Sequence, residues 1–108
     1  MTAQTVFLRS AEIDLKALKR YILQNFGQEA WLATYGQIKS SVAIIQSYPE
    51  QGWIPDELQS LNLTQYRQVI SGMNRIVYEI RGDMAYIHII CDSRKDLKAL
   101  LIRRLLQA

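Results

Sequence analysis

Few residues of this 108-residue chain could do acid–base, nucleophilic or metal chemistry, because it has one histidine, His88, and one cysteine, Cys91. A structural zinc site needs several cysteine, histidine or carboxylate ligands close together, so no metal site is predicted. Neither residue belongs to a motif that pairs a nucleophile with a base. We therefore expect a histidine packed on a sheet, a buried inert thiol and no catalytic residue. A single cysteine also cannot close an intramolecular disulfide, which is typical of a reducing compartment.

Two arginines, Arg67 and Arg75, fall inside segments that are predicted as strands. In a small sheet, such side chains must reach solvent or pair with an acid. One interpretation gives them surface salt bridges to Glu79 or Asp92. The other places them on an open face that binds an acidic partner, because a planar guanidinium recognises carboxylates and phosphates. The sequence leaves both interpretations open.

A second basic group surrounds the last predicted helix. Arg94 and Lys95 fall at its N-terminus, where the helix dipole disfavours cations, and this favours a binding role for them. Lys98, Arg103 and Arg104 form the basic face of the helix. The dipole alone explains basic residues near Arg103, at the other end of the helix. All five are candidate binding residues.

Trp53 is the aromatic candidate for a contact surface. It lies in the connection 49–55, which is rich in proline and glycine. An aromatic side chain on an irregular exposed segment often anchors a partner. Trp31 and Tyr35, one turn apart on a predicted helix, are instead expected in the core.

Composition and charge indicate one folded domain over residues 1–108 with a basic C-terminal part. The chain is 49% hydrophobic and 21% charged, with a net charge of +3. From residue 66 on, eight lysines and arginines stand against four acids. Such a surface suits an acidic protein or nucleic acid. No secretion signal and no apolar stretch of about 18 residues is found, so a cytoplasmic protein without a membrane span is expected.

The periodicity of apolar residues predicts an α+β fold. Ser10 is predicted to cap the first helix, and Ser93–Asp96 reads as a capping box for the last one. In the strand 84–91, Cys91 is expected on one core face with Ala85, Ile87 and Ile89. The element order is β-α-α-β-β-β-α: an N-terminal strand, an antiparallel two-helix hairpin, a three-stranded antiparallel meander and a C-terminal helix. The predicted elements cover residues 5–9, 10–26, 28–47, 66–70, 74–80 and 84–91, and a last helix that begins after its cap at residue 93.

Several short motifs follow one another in a recognisable order. They are Asp14-Leu15 with Tyr21-Ile22, Tyr48-Pro49-Glu50-Gln51-Gly52, Tyr66-Arg67, Asn74-Arg75-Ile76-Val77-Tyr78, and Asp92-Ser93-Arg94-Lys95-Asp96. With these motifs the chain resembles the ParE/RelE superfamily of type II toxins over nearly its whole length. The resemblance implies one of two activities: cutting messenger RNA in the ribosomal A site, as RelE-like members do, or inhibiting DNA gyrase by binding it, as ParE-like members do.

The residues favour the ParE-like activity. Arg75 and Arg94 match the arginines of RelE-like enzymes, but the position of their proton-transferring tyrosine falls near Leu100. No histidine or tyrosine follows His88, and residues 51–65 contain no lysine or arginine. General acid–base catalysis typically supplies about 10²–10⁴-fold in rate, so this loss argues against RNA cleavage.

The resulting hypothesis is a gyrase-binding toxin without a cofactor, held in a hetero-oligomer with its antitoxin. The helical hairpin and the basic last helix would be its contact surfaces, and the antitoxin would cover the groove between hairpin and sheet. Direct DNA binding is not expected without the antitoxin. The alternatives are a ribosome-dependent endoribonuclease with an atypical site on Arg67, Arg75 and Arg94, and a member that binds an antitoxin but is not toxic.

Overall fold

A computed structural model describes the backbone of residues 2–107 and the side chains of residues 2–104. It confirms the predicted α+β fold, with one short helix, α3, added in the connection before the meander. The elements are β1 (Gln4–Phe7), α1 (Arg9–Asn25), α2 (Gln28–Ser47), α3 (Asp56–Gln59), β2 (Tyr66–Ser71), β3 (Asn74–Arg81), β4 (Met84–Asp92) and α4 (Leu97–Gln107).

The four strands form one sheet in the order β1-β4-β3-β2. Strand β1 runs parallel to β4, whereas the other neighbours are antiparallel. The most apolar strand, β4, is therefore central, as its composition predicts. The edges of the sheet are β1 on one side and β2 on the other.

Helices cover both faces of the sheet. On one face the α1–α2 hairpin packs on β3 and β4 through a buried cluster that comprises Ala11, Ile38, Ile45, Ile76, Tyr78, Ala85, Ile87 and Ile90. On the other face α3 and α4 pack through a second cluster that comprises Leu58, Tyr66, Val77, Ile89, Leu97 and Leu101. We call these the hairpin face and the α4 face.

A β-bulge in β4 changes which side chains share a face. Val77 pairs with Ile89 but the next residue, Tyr78, pairs with Ile87, so His88 has no partner on β3. The extra residue reverses the alternation: Ile87 faces the hairpin, and Ile89 faces α4. The predicted single core face from Ala85 through Ile89 to Cys91 is therefore wrong, because a bulge inserts a residue that the period of two does not count.

Helix α4 begins later than the predicted capping box. The cap is Asp96, whose Oδ1 accepts a hydrogen bond from the N–H of Ala99 at 3.1 Å. Asp92 instead accepts the N–H of Arg94 at 2.8 Å, which folds residues 93–95 into a turn. Arg94 and Lys95 thus precede the helix, and the argument from its dipole does not apply to them.

Candidate functional site

Four of the predicted binding residues meet in a groove between α1, the end of β4 and α4. The cavity has a volume of about 680 Å³, and we call it the α1–α4 groove. Its polar and aromatic lining includes Asp14, Tyr21, Arg94, Lys95, Arg103 and Arg104. Lys98 is exposed on α4 outside this lining, and Arg67, Arg75 and Trp53 lie elsewhere.

Arg104 joins α4 to α1 and β4 within the groove. Its guanidinium forms an ion pair with Asp14 and donates a hydrogen bond to the C=O of His88 at 3.1 Å. The hydroxyl of Ser10 donates to the same oxygen, also at 3.1 Å, so this serine is not the predicted helix cap. The second oxygen of Asp14 accepts the N–H of Ile90 at 3.0 Å. Side chains thus satisfy the backbone of β4 where β1 has ended.

The remaining cations of the groove differ in whether they have an acidic partner. Arg94 is 76% exposed and makes two side-chain hydrogen bonds to Asp92, at 2.8 and 2.9 Å. These bonds and that from the Arg94 N–H lower the pKa of Asp92 well below its ordinary value. Lys95 and Arg103 form no ion pair with another residue whose side chain is described. Their charges are therefore the ones open to a partner.

Cys91 also lines this groove. Burial raises the pKa of its thiol, which outweighs the opposite effect of Arg75. A thiol held in its protonated form is a poor nucleophile. Cys91 is half-buried, not buried as expected.

Arg75 is buried on the α4 face, at 5% exposure. Its guanidinium donates to both carboxylate oxygens of Glu57 on α3, at 3.2 and 3.3 Å, and to Gln68 at 3.2 Å. It also donates to the C=O of Lys95 at 2.8 Å. Both predicted settings, a surface salt bridge and an open face, are wrong for this residue, because the partner lies on a helix that the sequence analysis read as an irregular connection.

Arg67 lies on the opposite, hairpin face, where it fastens the connection after α2. It donates to the C=O of Gly52 at 2.8 Å and of Glu50 at 3.1 Å. Trp53 in the same connection is 50% exposed and forms a single antiparallel bridge with Gln68 of β2. Its exposure fits the predicted contact role, which stays a prediction.

His88 is packed on the sheet as expected, but it has a carboxylate partner that the sequence analysis missed. Its Nε2 lies 3.0 Å from Oε1 of Glu79, and its ring meets that of Tyr66 edge-on at 5.2 Å. Arg81 donates to the same carboxylate at 2.9 Å. Burial alone would raise the pKa of Glu79, but the hydrogen bonds from Arg81 and His88 lower it overall. Glu79 and His88 are nine residues apart in sequence. Only the register of β3 against β4, with its bulge, shows that their side chains meet.

Neither a metal centre nor a membrane span is found in the described part of the chain. Among its residues, no three or more histidine, cysteine or acidic side chains are grouped so that they could hold a metal ion. None of its helices has the length and apolar character needed to cross a bilayer.

Comparison with known proteins places the chain in a family. The family model for the ParE toxin of the type II toxin–antitoxin system parDE matches residues 6–100. The chain belongs to the ParE toxin family. Its fold is similar to a solved structure from the chromosomal ParDE toxin–antitoxin system of P. aeruginosa, with a TM-score of 0.69 and 20% identity. That match covers 84% of this chain and 96% of the other. A comparison with curated proteins finds no significant match.

The family settles the general class that the motifs indicated: this chain is a ParE-type toxin of a toxin–antitoxin system. Arg75 and Arg94, which match arginines of RelE-like enzymes, both have acidic partners in this structure. Arg75 is buried against Glu57, and Arg94 is bound to Asp92.

Proposed function

We propose that this ParE-family toxin inhibits DNA gyrase by binding it, without catalysing a reaction, and that a cognate antitoxin neutralises it in a hetero-oligomer. The target is the one that the resemblance implies for ParE-like members. The proposal includes action in the cytoplasm, where gyrase works, and DNA binding only through the antitoxin.

The observation that carries this choice is that Arg67 and Arg75, two of the three arginines on which an RNA-cutting site would rest, lie on opposite faces of the sheet. Arg67 lies on the hairpin face, bound to backbone C=O groups. Arg75 lies on the other face, buried against Glu57. Arg94 is engaged with Asp92. Cleavage needs cations gathered on one phosphate, together with a group that transfers a proton. Two arginines on opposite faces of the sheet, one of them buried in an ion pair with Glu57, cannot meet on one phosphate.

The α1–α4 groove is the surface that best suits a protein target. Leu18 and Leu100 give it an apolar lining, and Tyr21 beside them is 57% exposed. Lys95 and Arg103 add charges that no described side chain neutralises. Exposed aromatic and basic residues around an apolar centre are typical of protein interfaces. We therefore assign the gyrase contact to this groove, which Arg94 lines, with Lys98 at its margin.

A charge reversal tests this assignment. Arg103→Glu should raise the toxin concentration needed to inhibit supercoiling by about tenfold or more, because an interface charge is inverted. Arg20→Glu makes the same change at an exposed position of α1 outside the groove and should leave inhibition unchanged. Equal inhibition by both variants would show that the gyrase contact lies outside the groove.

A further inference from the structure

The α1–α4 groove has an apolar centre between two helical walls. Its lining on the two helices consists of Asp14, Ala17, Leu18 and Tyr21 of α1, and Ala99, Leu100, Arg103 and Arg104 of α4. Residues three and four apart share one face of a helix, so each wall is a single helix face. The volume of about 680 Å³ leaves room for side chains of a partner, which would meet Leu18 and Leu100 at the centre.

The charges that line the groove do not cancel. Among the described residues, four lysines and arginines line it against three aspartates: Arg94, Lys95, Arg103 and Arg104, and Asp14, Asp92 and Asp96. Arg94 and Arg104 hold two of the aspartates in ion pairs, and Asp96 accepts the N–H of Ala99 as the cap of α4. Lys95 and Arg103 have no acidic partner among the side chains that the structure describes. The groove therefore presents two cations to a partner.

Both of these cations stand on backbone that is already fixed. The N–H of Lys95 donates to the C=O of Asp92 at 3.0 Å, and its C=O accepts from the guanidinium of Arg75 at 2.8 Å. Arg103 lies on α4 beside Arg104, which ties that helix to α1 and β4. Residues 97–103 of α4 alone span about 9 Å along the helix axis, so the two charges are well separated. A partner with two carboxylates at a similar spacing would bind without rearranging this backbone.

An aromatic pair extends the groove toward the turn between α1 and α2. The rings of Tyr21 and Phe26 meet edge-on, with their centroids 6.1 Å apart. Tyr21 is 57% exposed and Phe26 is 67% exposed. The side chain of Asn25 donates to the C=O of Tyr21 at 2.8 Å, which fixes the last turn of α1. Aromatic side chains are enriched in protein interfaces, and a ring that is already held in place loses little freedom on binding.

We propose that the α1–α4 groove takes an acidic segment of gyrase. An apolar side chain of that segment packs on Tyr21, Leu18 and Leu100, and its carboxylates pair with Lys95 and Arg103. This assignment rests on the proposed function, because it takes gyrase as the partner. It adds the chemistry of the segment that is bound, which is negative charge beside an apolar anchor. Opposite charges across an interface speed encounter and fix the register of the two partners.

The salt dependence of binding tests the acidic character of the segment. The measurement follows binding of the fluorescently labelled chain to the gyrase holoenzyme by anisotropy. The wild type should bind about tenfold more weakly at about 0.3 M than at about 0.05 M salt, because salt screens exposed charges. The double variant Lys95→Gln with Arg103→Gln should bind about tenfold more weakly at low salt and lose most of this salt dependence.

The matched control neutralises two exposed cations of α1 outside the groove, Lys16→Gln with Arg20→Gln. It has the same net charge as the groove variant, so it corrects for the charge of the whole chain. It should bind within about twofold of the wild type and keep the salt dependence. Arg103→Lys should keep it as well, because the charge stays in place. Equal losses in the two double variants, or wild-type binding that does not change with salt, overturn the proposal.

Tyr21 gives a second measurement that does not depend on charge. Tyr21→Ala should weaken binding by about tenfold at every salt concentration, whereas Tyr21→Phe keeps the ring and should bind within about twofold of the wild type. Ile13→Ala shortens a side chain of the same helix that is 55% exposed and outside the groove, and it should leave binding unchanged. Wild-type affinity of the Tyr21→Ala variant would show that the apolar anchor does not lie here.

Supercoiling assays on the same samples separate this proposal from the proposed function. A wild type that neither binds nor inhibits gyrase refutes both. A wild type that inhibits gyrase, with groove variants equally active and equally salt-dependent, refutes this assignment alone. Sedimentation of the chain by itself tests a second copy as the occupant, which the net charge of +3 disfavours. A dimer that Tyr21→Ala dissociates would overturn the acidic segment in favour of that copy.

Discussion

Arg104 of α4 forms an ion pair with Asp14 of α1, and each of the two side chains also binds the backbone of β4. The pair lies where β1 has ended and the bulge at His88 has displaced the ladder. It therefore joins three elements at a point where the sheet alone would leave backbone groups without partners. The walls of the α1–α4 groove depend on this junction.

Removing Asp14 should destabilise the fold measurably. Asp14→Ala leaves the Ile90 N–H and the Arg104 guanidinium without their acceptor, at an expected cost of about 2–3 kcal/mol in the free energy of unfolding. Asp14→Asn keeps an acceptor for Ile90 and should cost about 1 kcal/mol. Urea unfolding measures both. Equal costs for the two variants would show that the backbone hydrogen bond contributes little.

Arg75 should matter for stability more than any exposed arginine. Arg75→Ala leaves Glu57, Gln68 and the C=O of Lys95 without a donor. The expected cost is about 2 kcal/mol, less than for a fully buried ion pair, because the Glu57 side chain is 33% exposed. Arg94→Ala removes an exposed ion pair and should change the free energy of unfolding little. The comparison is made by urea unfolding. A cost for Arg75→Ala as small as that for Arg94→Ala would contradict the buried contacts.

Gly52 stands where no side chain fits. A Cβ there would lie 2.3 Å from the hydroxyl of Tyr78 and 2.9 Å from the C=O of Gln68. That hydroxyl is buried and donates to Pro49 at 2.6 Å, so it cannot easily move. Gly52→Ala should lower stability by about 2 kcal/mol or more. Gly36→Ala, on a helix with open space around the new Cβ, should raise it by about 0.5–1 kcal/mol. Thermal unfolding of both variants checks the contrast.

The pair of Glu79 and His88 predicts a pH-dependent contribution to stability. The folded-state pKa of Glu79 is lowered from its ordinary value of 4.5, so its contribution is fully present above that pH. It is lost as the pH falls through the lowered value, because the carboxylate becomes protonated. The wild type should exceed Glu79→Gln in stability at neutral pH, and the difference should shrink as the pH falls below the ordinary value of 4.5 and through the lowered pKa of Glu79. A difference that stays constant as the pH falls would contradict the ion pair with Arg81 and the hydrogen bond with His88.

The order of elements could be predicted because each has a strong local signal. Pro49 ends the long helix, and the change of period at Tyr66 marks the meander. The bulge at His88 could not be predicted, because one added residue leaves the apolar run of β4 unchanged while it turns Ile89 to the other face. The start of α4 was misplaced for a related reason: Ser93 and Asp96 are both good caps, and the turn that Asp92 stabilises decides between them.

The candidate site was predicted less well than the fold. Arg94, Lys95, Arg103 and Arg104 meet in one groove, but Lys98, which was predicted on the same basic face as Arg103 and Arg104, lies outside it. Arg67 and Arg75 both fall inside predicted strands, but they lie on opposite faces of the sheet. Their partners come from the connection before β2, where α3 is too short to give a periodic signal.

We propose that this ParE-family toxin acts by binding gyrase and not by cutting RNA. The direct measurement follows gyrase supercoiling of relaxed plasmid and messenger RNA cleavage on programmed ribosomes with the same purified protein. We expect supercoiling to be lost while the message stays intact. A message cut in the A site with gyrase unaffected would contradict it, and the absence of both activities would leave a chain that binds an antitoxin without being toxic.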